Sequence, residues 1–224
     1  MAGETQERLG ELESLTRDYA RYSRSAGGLA SALGGTFCLL SYLLGGLLPL
    51  TSMLRVALVA LPLVWLLARW GMTQRYYQRF GHVEEQESAV ERRTHRLGLG
   101  VTLAVAVLLT ASALSNGAQL SPGMAGYLAL VWLLVLAVWR WLRSPLDFVV
   151  GAFLFCQASL LCVDQVYPVI GTAAAHDALP MALLALLFPL AALLMIARGV
   201  ADHRRFLHLR ERLLQLRGNA VGEA

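Results

Sequence analysis

A chain of 224 residues in which 57% are apolar and only 15% charged carries more apolar surface than one soluble core can hide. All 19 basic residues are arginine and the formal net charge is +4; without lysine, a Walker A phosphate loop and a lysine Schiff base are excluded. The three cysteines, Cys38, Cys156 and Cys162, fall inside apolar stretches, which argues against a secreted disulfide framework and leaves them as small packing residues.

Residues 1–26 are charged and helix-prone. Leu9, Leu12, Leu15, Tyr19 and Tyr22 recur at three- and four-residue steps among Glu and Arg, the pattern of an amphipathic helix. No short apolar core with an A-x-A site precedes the first apolar stretch, so that stretch is expected to remain in the mature protein. Six stretches of spanning length follow, at 27–48, 53–70, 97–114, 124–141, 146–166 and 178–197. Leu, Ala and Val dominate them without the alternation of a β-barrel. The expected fold is therefore all-α: a polytopic bundle of six transmembrane helices, with short amphipathic helices at each end.

In the first stretch Gly27, Ser31, Gly34, Cys38, Ser41 and Gly45 fall on one narrow face at 100° per residue. Small residues let helix backbones approach closely in lipid, and with five other spans available an intramolecular contact is expected before a homo-oligomer seam. The second stretch contains Pro62 and begins near Arg55, the charge that fits least well and that can snorkel outward. Tyr76, Tyr77 and Phe80 followed by Gly81 suggest that it continues inward as a helix before breaking, with a return helix from about Glu84 leading into the third stretch. There Glu84, Glu85, Glu87 and Glu91 precede Arg92, Arg93 and Arg96, an order that complements the helix dipole.

Gln157 lies near the middle of the fifth stretch and Asp164 follows seven residues later on nearly the same face. These two, with Arg55 as a partner for Asp164, form the candidate polar stripe, read first as interhelical hydrogen bonding and second as a substrate or proton path. The sixth stretch contains Pro189. Beyond it Phe206, Leu209, Leu213 and Leu216 continue a helical stripe until Gly218, and this stripe is open to lying on headgroups, to pairing with the amino-terminal one or to docking a partner.

Arginines cluster before the first stretch, between the second and third, between the fourth and fifth, and after the sixth, while the alternate connections at 49–52, 115–123 and 167–177 have none. The positive-inside rule then places both termini in the cytoplasm. An arginine precedes a proline by 25 or 26 residues three times, Arg24 to Pro49, Arg96 to Pro122 and Arg143 to Pro168, which suggests three helical hairpins. The division read from these features is a cytoplasmic helix at 1–26, a transmembrane domain at 27–200 with a cytoplasmic helical loop at 72–96, and a cytoplasmic tail at 201–224. The all-arginine basic set fits the codon usage of a GC-rich bacterial gene, and the location expected is the inner membrane.

No G-x-S-x-G, H-E-x-x-H, C-x-x-C or glycine-rich phosphate loop occurs, and His176, His203 and His208 lack the spacing of a metal site. No catalytic residue, cofactor or metal is expected, and without stacking aromatics the arginines point to topology and anionic lipid, not nucleic acid. In broad layout the chain is similar to membrane subunits of bacterial transport systems, including six-span permeases with a cytoplasmic amphipathic helix before the first span. That resemblance implies a non-catalytic component of a transport or export complex engaging a cytosolic ATPase. The alternative is a membrane-anchored regulatory or scaffold protein that moves no substrate.

Overall fold

Every regular element in the computed structural model is a helix, among the described residues: 10, 13–19, 26–77, 89–115, 121–138, 144–162, 170 and 179–222. After helical residues 13–19 and a 3-10 turn at Ala26–Gly28 come α1 (Leu29–Leu47), α2 (Ser52–Tyr77), α3 (Ala89–Ser115), α4 (Pro122–Val138), α5 (Pro145–Cys162) and α6 (Leu179–Gly222). Helix starts follow local chemistry. The Leu54 amide donates to Thr51 Oγ1 and the Met124 amide to Ser121 Oγ, both at 3.3 Å, so a hydroxyl caps the exposed first turn in each case. Pro122 and Pro145 occupy first helical positions, where a missing N–H costs nothing and the fixed φ already suits the helix.

Among the described residues three helices are long and apolar enough to cross a membrane: 29–47, 52–75 and 182–215, with 146–162 a shorter apolar helix. Their outward surfaces suit lipid. On α6, Leu183, Leu186, Leu190, Leu193 and Leu194 are exposed while Ala185, Phe188, Ala192, Met195 and Gly199 turn inward. α2 reaches Tyr77 as an unbroken helix, beyond the apolar stretch that ends at residue 70. α6 is longer still, 44 residues without interruption, so the boundary drawn at residue 200 falls inside one continuous helix.

The chain ends meet at one end of the bundle, called here the near end, where α1 begins, α2 finishes and α6 emerges. α5 runs through the middle: it packs on all five other helices, and residues 154–162 are all buried. α1 is pressed most extensively against α6, its partner from the opposite end of the sequence. Two apolar clusters fill the interior. Cys38, Trp65, Val150, Leu154, Ala192 and Met195 form the one nearer the chain ends. Tyr42, Leu58, Val59, Leu160 and Phe188 belong to the one at the far end.

Candidate functional site

Charge inside the bundle is concentrated at the near end, where three helices each supply one polar side chain. Asp147, in the first turn of α5, is fully buried; its Oδ1 accepts a hydrogen bond from Ser31 Oγ of α1 at 2.6 Å and its Oδ2 accepts one from Arg69 Nε of α2 at 2.9 Å. Arg69 is 7% exposed. Its aliphatic stem and charged head are thus both withdrawn from solvent, and the carboxylate compensates the head directly. Position in the first turn of α5 adds the favourable end of a helix dipole to the same carboxylate.

Local packing explains why these groups can meet. A Cβ on Gly34 would collide with Val150 Cγ1 and come within 2.7 Å of Trp65 Nε1, so only glycine lets α1, α2 and α5 converge one turn beyond Ser31. The Trp65 indole donates to the Ala30 carbonyl at 2.7 Å, which satisfies its N–H in an otherwise apolar setting. Farther along the seam Gln157, also fully buried, donates from Nε2 to the Cys38 carbonyl at 3.1 Å. Its Oε1 is buried with no hydrogen-bond partner among the described residues.

All six residues of the small stripe are buried, yet α1 uses a second small face as well. A Cβ on Gly35 would lie 2.9 Å from the Ala192 carbonyl, and one on Gly199 would lie 2.6 Å from the Ala32 amide. Gly28, at φ +84°, carries the chain across the α6 backbone at Gly199 and needs glycine for its left-handed turn as well as for space. Gly28, Gly35 and Gly199 are not on the stripe that the sequence singles out, because their close contacts depend on α6 lying beside α1.

Tyrosines bond helix carbonyls near proline at the far end. Pro189 removes the amide that would have donated to the Ala185 carbonyl, and Tyr42 Oη donates there instead at 2.9 Å while accepting from the Ile170 amide at 3.0 Å. In α2, Pro62 removes the donor to the Leu58 carbonyl, and Tyr127 Oη donates to the neighbouring carbonyl, that of Val59.

At the chain ends Tyr19 stacks on Phe206 with ring centroids 5.3 Å apart, and His203 Nδ1 lies 3.1 Å from the Gly27 carbonyl oxygen. Phe206 is fully buried, and Leu15 and Tyr19 are nearly so. The amino-terminal stripe therefore pairs with the start of the carboxyl-terminal one. Leu9, Leu12, Tyr22 and the Leu216 side chain lie outside the described residues, as do Glu84, Glu85, Glu87 and Asp164.

Of the candidate polar stripe, Gln157 sits in the α1–α5 seam and Arg55 in the first turn of α2, within electrostatic reach of Cys162. The sequence reading singled out neither Arg69 nor Asp147. Both lie within two residues of the end of an apolar stretch, where a charge ordinarily faces headgroups; the available signal was that Arg69 and Asp147 are opposite charges just inside the boundaries of stretches expected to share an inner end. Among the described residues no three His, Cys, Asp or Glu side chains gather as a metal site requires, and the cysteines are unpaired. Comparison with known protein families, curated proteins and solved structures gives no match to this chain.

Proposed function

We propose that this chain is a six-span protein of a bacterial inner membrane, with its near end and both termini in the cytoplasm, and that it serves as a non-catalytic component of a transport or export complex. The observation that carries the reading is the continuity of α6. At 1.5 Å per residue its 44 residues extend about 66 Å, roughly twice the ~30 Å hydrocarbon layer. A helix of that length leaves a mast beyond the membrane. Arg204, Arg205 and Arg212 are exposed along it, with Leu207 and Leu214, a mixture suited to an acidic, partly apolar surface on a cytosolic partner such as an ATPase.

The test is purification of the full chain from native membranes beside a version ending after Phe206. A stoichiometric ATPase that is lost with the truncation is the expected result. A second reading, a scaffold or regulator that moves no substrate, draws support from the tight glycine contacts of the α1–α5 seam, and recovery of a kinase or transcription factor in place of an ATPase would favour it. Reporter fusions at Glu85, Asn116 and Ala174 are expected to read cytoplasm, outside and outside. An external carboxyl terminus would sink the six-span arrangement.

A further inference from the structure

The α1–α5 seam holds three contacts in succession from the near end to mid-bundle: Ser31 on Asp147, Gly34 on Val150, and Cys38 on Gln157. Three groups along it attract positive charge. The Asp147 carboxylate is anionic, Gln157 Oε1 is a buried acceptor without a donor among the described residues, and the Trp65 ring lies between these levels at Gly34. The cation present at the first level is the protein's own, the Arg69 guanidinium. It is carried on the near-end half of α2, seven residues from Pro62 inside the helix, and Thr73 Oγ1 one turn closer to the helix end is a further buried polar atom without a partner among the described residues.

We propose that Asp147 and Gln157 are two acceptor stations for a small N–H-bearing cation of the ammonium or guanidinium type, and that Arg69 fills the first station as a tethered stand-in that keeps the seam shut. The proposal rests on the transport reading above. A free cation competes with Arg69 for the carboxylate, the near-end half of α2 swings about Pro62, and the cation advances past Trp65 to the amide oxygen. Specificity for N–H donors follows from the two oxygens, which reward hydrogen bonding beyond charge alone.

Cys38 and Cys156 flank Gln157 and are buried, so they report opening directly. The experiment uses the full chain with Cys162→Ala in oriented vesicles, labelled from either face by a membrane-impermeant, positively charged thiosulfonate, which forms a mixed disulfide with the thiol as sulfinate leaves. The parent and Arg69→Lys are expected to react slowly. Arg69→Gln is expected to react about tenfold faster from the near-end face alone. Methylammonium should slow that reaction and tetramethylammonium, which has no N–H, should not; Gln157→Leu should abolish the difference between them. If Arg69→Gln does not accumulate, the double variant Arg69→Gln/Asp147→Asn leaves no unpaired charge and is expected to show the same faster labelling. Labelling at the parental rate, equal labelling from both faces, or equal action of the two cations overturns the proposal. Because labelling needs no partner protein, its failure leaves the docking reading standing, and loss of the partner leaves the labelling result intact.

Discussion

The two ends of the bundle are fastened by different chemistry. At the near end a carboxylate, a guanidinium and a hydroxyl from three helices converge in a buried site, whereas at the far end neutral tyrosine hydroxyls donate to the Ala185 and Val59 carbonyls near proline. Breaking one half of a buried ion pair leaves the opposite charge withdrawn from solvent without the group that compensates it. Losing a hydroxyl exposes one dipole that the helix can partly re-satisfy. The near end is therefore an all-or-none fastening and the far end a graded one, which is the arrangement expected if motion is confined to one end.

That contrast is broken most directly at the ion pair. Arg69→Leu or Asp147→Leu alone is expected to cost about 3–5 kcal/mol in a membrane unfolding assay, because each leaves the opposite charge buried. Replacing both by apolar residues should recover most of the loss. If the single and double changes cost the same, the pair is solvated and the contrast between the ends disappears.

Gly34 tests the packing that brings the three polar groups together. Gly34→Leu places bulk against Val150 and Trp65 and is expected to cost about 1–3 kcal/mol or more, while Leu33→Val, on a half-buried neighbour, should stay near or below ~1 kcal/mol. Equal tolerance would mean that α1 does not meet α2 and α5 at this level.

The far end is probed by a double-mutant cycle. Tyr42→Phe should cost about 1 kcal/mol in the parent. In a Pro189→Ala background residue 189 regains its amide and the Ala185 carbonyl its intrahelical donor, so the same change should cost less, leaving the bond from the Ile170 amide as the remaining loss. Additivity within about 0.3 kcal/mol would show that the tyrosine and the proline are independent.

Helical character was legible because apolar length and glycine spacing are properties of consecutive residues. The Ser31–Gly34–Cys38 face could be read at 100° per residue, and α2 was expected to run inward past the apolar stretch, as it does through Tyr77; the expected break at Gly81 lies outside the described residues. Burial of a charge is not such a property. Arg69 and Asp147 stand 78 positions apart at edges of apolar stretches, and nothing in either neighbourhood distinguishes a side chain reaching headgroups from one turned toward its opposite charge. The Gly35–Ala192 approach was hidden for the same reason: it depends on α6 lying beside α1, and sequence order gives no hint that the first and last helices are the closest pair. The proline ties were half legible. Pro189 announces an orphan carbonyl at Ala185, but that Tyr42 supplies the donor depends on the fold.

The smallest expected effect concerns Gln157, and it separates the two ways of explaining a polar residue in the core. A purely structural glutamine should be missed when removed, since its partner is left without a bond. Here the partner is the Cys38 carbonyl, which lies within α1 and keeps its intrahelical donor, while Oε1 has no partner to lose among the described residues. Gln157→Leu therefore exchanges one side-chain bond for relief of one unsatisfied acceptor, and the net change in stability is expected to stay within about 1 kcal/mol. Folded abundance in membranes should be nearly that of the parent, and substrate passage through the reconstituted complex should fall. A large drop in abundance with passage preserved per folded molecule would return Gln157 to a structural role and would make the near-end ion pair a static fastening like any other buried contact.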